Sequence, residues 1–274
     1  MTSGSQPLSR EPRSYVVTGG GRGVGRAVVE RLLAGGHHVV ALELRDEAMA
    51  WAGDHPAGTR ILPLAGDASD EKVTEHAADL AESAGRLTGW VNNAAVFRDA
   101  SIHEVPARDM LDLIELNLAL TVTGCTTAIR RFLAARTPGA VVNISSHQAQ
   151  RPVPGSTPYA TAKAAVEGLT RALAVEYGEH GIRVNAVALG TIATERYHAE
   201  LSRLPAAARE QFASGLADLH PLGRLGESHE AAAAITYLLG DDAAFVSGAT
   251  LPVDGGRAVL AREPIPQRSG SDGT

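Results

Sequence analysis

A chain of 274 residues with 44% hydrophobic content fits one large α/β domain or two small ones, and no apolar run approaches the length that crosses a bilayer. A net charge of −6 without basic blocks argues against nucleic acid as the main partner. The single cysteine, Cys125, excludes an internal disulfide, gives no support for a metal site and fits a reducing, cytoplasmic setting.

Residues 1–14 and those from about Ala261 to 274 are rich in Ser, Gly, Pro and charge, and both read as mobile tails; the first has no apolar stretch of the kind a secretory signal needs. Between them, β-rich runs at 15–18, 39–42, 61–64, 90–91, 141–144, 183–188 and 250–253 alternate with helix-length amphipathic stretches. The spacing leaves room for a helix between neighbouring strands, which predicts βαβ crossovers and a parallel sheet. No linker or fixed-period repeat interrupts the region, so 15–260 reads as a single doubly wound domain.

The first strand runs straight into Gly19-Gly20-Gly21-Arg22-Gly23-Val24-Gly25 and then a helical stretch. Glycine allows a tight turn and close approach of a pyrophosphate, and the helix start offers free N–H groups and the positive end of its dipole. Glu43 ends the second strand eighteen residues after Gly25. A carboxylate there accepts hydrogen bonds from both hydroxyls of an adenosine ribose and repels a 2′-phosphate by about 2 kcal/mol even in full water screening. That predicts NAD(H) over NADP(H), with Arg22 and Arg45 as nearby cations able to blunt the preference.

Further along, Thr157-Pro158-Tyr159-Ala160-Thr161-Ala162-Lys163 opens a second informative stretch. Thr can cap a helix and Pro suits its first turn, which sets Tyr159 one turn below Lys163 on one face, at an accessible helix end. At roughly 5 Å and an effective dielectric of about 20, an ammonium would stabilise the phenolate by about 3 kcal/mol. The expected result is a Tyr159 pKa lowered from about 10 towards about 8, within reach of general acid–base work.

With the glycine loop and the Tyr–Lys pair together, the sequence resembles the short-chain dehydrogenase/reductase family from about Tyr15 to Gly256. The pattern T-G-x-x-x-G-x-G is met by Thr18, Gly19, Gly23 and Gly25. Asn92-Asn93-Ala94-Ala95 stands for N-N-A-G, with Ala95 in place of glycine. Asn117 matches the family's helix asparagine, and Val253-Asp254-Gly255-Gly256 matches its closing stretch. Ser146 precedes Tyr159 by thirteen residues, the family spacing, and is chosen over Ser145 for that reason. One further departure is Leu189-Gly190 where Pro-Gly is usual.

The resemblance implies a Rossmann-type fold with a seven-stranded parallel sheet, and an oxidoreductase that moves a hydride between a nicotinamide and a secondary alcohol or ketone. In it Tyr159 is the acid/base and Ser146 hydrogen-bonds the substrate oxygen. Lys163 lowers the tyrosine pKa and holds the nicotinamide ribose, and Asn117 holds a water that links Lys163 to solvent. The cofactor would be NAD(H), held by Thr18, Gly19, Gly21, Arg22, Gly23, Val24 and Gly25 at the phosphates. Glu43 and Leu44 would meet the ribose side, and Asp67 and Ala68 the adenine. Asn93, Ala94, Ala95, Tyr159, Lys163, Gly190, Ile192 and Thr194 would line the nicotinamide half. Thr194 serves equally well as a nicotinamide contact or as the cap of the next helix.

His147, Gln148 and Val153 follow Ser146 and are candidate substrate contacts for a polar or hydroxylated small molecule, or else face solvent or a neighbouring subunit. The segment from about 194 to 220 matches the family's variable lid, with an amphipathic stretch at 203–216. Stretches 107–135 and 157–179 are apolar on more than one side and, by resemblance, form the contacts of a homodimer within a homotetramer. His37-His38 and Asp241-Asp242 read as surface polar residues, so no metal is expected. Two rival functions stay open: an NADP(H)-dependent carbonyl reductase, and a dinucleotide-binding regulator of the same fold without turnover.

Overall fold

The structure, a computed structural model, describes residues 13–261. The chain forms β1 (Arg13–Thr18), α1 (Gly23–Ala34), β2 (His38–Glu43), β3 (Ile61–Ala65), α2 (Glu71–Ala84), β4 (Arg86–Asn92) and α3 (Ala107–Ala135). Then come β5 (Gly139–Ser146), α4 (Thr157–Tyr177), β6 (Ile182–Leu189), β7 (Ile192–Ala193), α5 (Glu195–Ser202), α6 (Ala206–Ala217), β8 (Gly226–Glu227), α7 (Ser228–Leu239) and β9 (Thr250–Val253). Seven strands form one parallel sheet in the order β3-β2-β1-β4-β5-β6-β9, and β7 pairs with β8 in a separate two-stranded ribbon.

Strands covered on both faces read as continuous apolar runs, and β1, β2 and β5 do so here. On one face Val28, Leu32, Ile235 and Leu238 of α1 and α7 pack on Val17, Val39 and Val142. On the other, Ala77, Ala128, Ile129 and Phe132 of α2 and α3 pack on Val16, Val40, Trp90 and Val141. β1 lies between β2 and β4, so the order of the sheet reverses there. The crevice beyond the carboxyl ends of β1 and β4 is thus where an open α/β sheet binds ligands.

Several boundaries differ from the sequence expectation; β4, for one, runs over 86–92 rather than 90–91. Arg13 and Ser14, assigned to the amino-terminal tail, belong to β1; Ser14 is fully buried and its hydroxyl donates to the Gly85 carbonyl at 3.2 Å. The rest of that tail, and residues 262–274, lie outside the described residues. In α4 the residue before the helix is Ser156, not Thr157, and its hydroxyl is spent on the Val153 carbonyl.

Beneath the crevice a buried polar network joins the sheet to α3 and α4. Trp90 Nε1 donates to Asn92 Oδ1 at 2.9 Å, Asn92 Nδ2 donates to Asn143 Oδ1 at 2.8 Å, and Asn143 Nδ2 donates to Thr170 Oγ1 at 3.0 Å. Gly124 lets α3 pass over it, because a Cβ there would sit 1.9 Å from Asn92 Oδ1.

Candidate active site

The glycine loop is shaped by its neighbours. Gly19 and Gly23 have φ of 64° and 54°, which L side chains adopt at a cost, and a Cβ on Gly25 would stand 2.0 Å from the Gly19 carbonyl oxygen. Thr18 and Asn93 hold the loop. The Thr18 hydroxyl accepts from the backbone N–H groups of Asn93 and Ala94, both at 3.0 Å. Asn93 Nδ2 donates to the carbonyls of Thr18 and Gly19 at 3.1 and 3.0 Å. Arg22, extended and exposed, places no side-chain cap on α1, so its first turn keeps N–H groups for an anion. These features fit a dinucleotide pyrophosphate, with the backbone N–H groups of Arg22, Gly23 and Val24 as the donors.

At the end of β2, Glu43 is 8% exposed; Oε2 accepts from Gly21 N at 3.2 Å and Oε1 from Leu44 N at 2.9 Å. Its carboxylate is therefore fixed under the loop while Leu44 beside it is exposed. Trp51, which the sequence reading did not single out, donates its Nε1 to the Gly21 carbonyl at 2.9 Å and lies under the Arg26 guanidinium. Asp67 is exposed, with Oδ1 accepting from the N–H and hydroxyl of Ser69, and Ala68 is buried behind it.

Ser146 ends β5, and Tyr159 and Lys163 stand one turn apart on α4. The Ser146 hydroxyl accepts from Gln148 N at 3.2 Å and eases ionisation of the Tyr159 phenol. The Lys163 ammonium lies 5.5 Å from the Tyr159 ring centroid and donates to the Ile144 carbonyl at 2.7 Å. The helix end is not accessible: Tyr159 is 8% exposed and Lys163 2%. Burial therefore decides both ionisations. It pushes the Tyr159 phenol up to about 12, against smaller opposing pulls from Ser146 and Arg196, and lowers Lys163 to about 8. The expected fall of the phenol towards 8 is corrected, because a Coulomb estimate at an average dielectric leaves out the desolvation of two groups removed from water.

Asn117 is also buried, and its amide is engaged on both atoms: Oδ1 accepts from Val96 N at 3.0 Å and Nδ2 donates to Val96 O at 2.7 Å. It pins the strand-end segment that carries Ala94 and Ala95 to α3. His147, on the other side of Ser146, is buried, and its Nδ1 meets the Leu189 carbonyl at 3.2 Å. Gln148 is half-buried, and Val153 is 37% exposed.

The lid is two short helices, α5 and α6; the stretch expected over 203–216 falls largely on α6, which starts just after Pro205, while α5 ends at Ser202. Thr194 caps α5, its Oγ1 accepting from Tyr197 N at 3.4 Å, so the capping alternative is realised, while its methyl packs against Gly23. The next residue, Glu195, accepts the Gly23 N–H on Oε2 at 3.0 Å, so a lid carboxylate rests on the first turn of α1. Arg196 lies 3.5 Å over the Phe97 ring, and Phe97 stacks on Tyr159 with centroids 5.1 Å apart. Sequence reasoning missed Phe97, Glu195 and Arg196; the one available signal was an aromatic just past Asn92-Asn93-Ala94-Ala95. Behind Leu189-Gly190, Arg257 donates to the Thr191 hydroxyl at 2.7 Å, and Thr191 N donates to His220 Nε2 at 3.3 Å.

A glycine-cradled helix start at the reversal point of a parallel sheet, beside a Ser–Tyr–Lys cluster, defines a nicotinamide-dinucleotide oxidoreductase of the α/β class. A family model described as Enoyl-(Acyl carrier protein) reductase matches residues 19–258. Levodione reductase of Leifsonia aquatica is 32% identical over 265 residues, covering 94% of this chain and 99% of that protein. Among solved structures, the ligand-free aldohexose dehydrogenase of Thermoplasma acidophilum superposes with a TM-score of 0.82 at 29% identity, covering 93% and 98% of the two chains. The structure of ElxO with NADP bound gives a TM-score of 0.81 at 28% identity, covering 91% and 100%. The chain belongs to the short-chain dehydrogenase/reductase family.

Proposed function

We propose that the chain is an NAD(H)-preferring oxidoreductase that interconverts a secondary alcohol and a ketone, with Tyr159 as the proton donor and acceptor. The observation that carries this reading is the Ser146–Tyr159–Lys163 cluster at the end of β5, two strands from a glycine loop that fits a pyrophosphate. The nicotinamide supplies the carbon that gives or takes the hydride. Ser146 holds the substrate oxygen and stabilises charge on it. Tyr159, protonated at neutral pH, is ready to donate to a carbonyl oxygen. Displacing Phe97 from the ring rehydrates the phenol and brings its pKa back towards the ordinary range, which suits proton removal from an alcohol. Lys163 supplies the positive charge that favours the phenolate and a donor for the ribose. Asn117 holds the Val96 segment and retains one amide hydrogen and one lone pair for a water towards Lys163.

Support for NAD(H) comes from Glu43, fixed where a 2′-phosphate would meet a buried carboxylate. Exposed Arg22 and Arg45 favour the NADP(H) reading, and ElxO is a relative solved with NADP. The names of the relatives, a levodione reductase and an aldohexose dehydrogenase, support chemistry at C=O and CH–OH groups of small molecules. We extend the reading to a cytoplasmic homo-oligomer, a dimer or tetramer. Exposed Leu111, Leu116 and Val122 on α3 and Val175 on α4 support contacts through these helices. Among the described residues no helix is long and apolar enough to cross a membrane.

Tyr159→Phe tests the reading. Turnover of any alcohol the wild type oxidises should fall by about 10²- to 10⁴-fold while NADH binding persists. Full activity in the variant would refute the mechanism.

A further inference from the structure

Two polar atoms beside Ser146 lie out of water without a hydrogen-bond partner: His147 Nε2 and Gln148 Oε1. They are neighbours in the turn that follows the catalytic strand, and both are acceptors. For His147 this is fixed by chemistry. Its Nδ1 faces the Leu189 carbonyl, which can only accept, so Nδ1 carries the hydrogen and Nε2 presents a lone pair. Desolvation and the nearby Arg257 charge hold the ring neutral, with a pKa lowered to about 4. His147 is 6% exposed, so the lone pair is not satisfied by bulk solvent.

The surroundings belong to the substrate end of the site. Leu189 precedes Gly190 and Thr191, and Thr191 is tied to Arg257 and to His220 at the end of the lid. Buried polar atoms that stay unpaired are costly, and a site that a ligand completes is one place where a protein keeps them. Two acceptors call for a donor, and the group on an alcohol or ketone substrate that donates is a second hydroxyl.

We infer that His147 Nε2, seconded by the Gln148 amide, receives a second hydroxyl adjacent to the reacting carbon, so the substrate is a vicinal diol or its α-hydroxy ketone. This rests on the proposed alcohol–ketone reading and narrows it to a substrate class. A mono-alcohol leaves both acceptors unpaired in the complex, and sites built around a substrate hydroxyl discriminate strongly against its absence.

The test compares kcat/KM for matched pairs of secondary alcohols with and without a neighbouring hydroxyl, on five- and six-membered rings and open chains, for wild type, His147→Asn and His147→Gln. NADH titration of each variant reports the fold. Asparagine can keep the donor to Leu189 and lacks the far acceptor; glutamine carries an acceptor near the position of Nε2. We expect the wild type to prefer the diol at least tenfold, His147→Asn to reduce that preference at least fivefold, and His147→Gln to retain most of it. A preference unchanged in His147→Asn, or no diol preference in the wild type while Tyr159-dependent turnover proceeds, overturns the role given to His147 alone. Absence of Tyr159-dependent turnover across the whole panel overturns the alcohol–ketone reading and this inference with it.

Discussion

Lys163 and Tyr159 respond to the same burial in opposite directions, and both responses are measurable in the free protein. Lys163 has a folded pKa of about 8 against 10.5 in the ordinary state. Between these values the unfolded chain binds more protons, so stability rises with pH through that window. The wild type should gain roughly 2 kcal/mol relative to Lys163→Met between pH 7.5 and 9.5 in urea unfolding. No difference between the two pH profiles would place the ammonium in water. Tyr159 works the other way: with its pKa raised to about 12, stability falls as pH climbs above about 10, where unfolded phenols ionise. Tyr159 and Lys163 were legible as neighbours on one helix face from their spacing, and Ser146 only through the family resemblance. The ionisation of Tyr159 and Lys163 was not, since burial sets it, and Phe97, which stacks on the Tyr159 ring, comes from a segment distant in sequence. Glu43 was legible as a strand-end acid beside the loop, and its bond to Gly21 is what the structure adds.

At the scale of elements, the lid and the glycine loop meet. Glu195 places a carboxylate on the turn that would bind a pyrophosphate, and two anions compete for the same N–H groups. Glu195→Gln should tighten NADH binding about two- to fivefold, the range expected from one charge at a helix start. Fluorescence titration measures it, and an equal or weaker affinity would show that Glu195 does not compete. Gly25→Ala should unfold the loop, since its Cβ would stand 2.0 Å from the Gly19 carbonyl oxygen. A loss of several kcal/mol in denaturant, with loss of NADH binding, is the expected outcome. Helix and strand positions in this region follow from periodicity, and the glycines announced the turn. The lid resisted because 195–217 carries few large apolar residues to fix a face, and Pro205 divides it.

For the molecule as a whole, the strand–helix alternation carried the sheet into view, while the strand order and the pairing of Arg13 at the start of β1 with Asp241 after α7 needed the fold. The second apolar sides of α3 and α4 are partly spent inside the chain, on the network around Asn92, Asn143 and Thr170. What remains exposed at Leu111, Leu116 and Val122 is the face assigned to a second subunit. Light scattering should give a mass of two or four times 28.5 kDa for the wild type, and a lower multiple for Leu116→Asp with Val122→Asp. A monomeric wild type would remove that assignment. The central claim, a dinucleotide oxidoreductase whose Glu43 selects NAD(H), is tested most directly by titrating the wild type and Glu43→Ser with NADH and NADPH in parallel. The account predicts NADH binding at least tenfold tighter than NADPH in the wild type and a ratio near unity in the variant. Equal or tighter NADPH binding in the wild type would contradict the role of Glu43, and binding of neither would contradict the site itself.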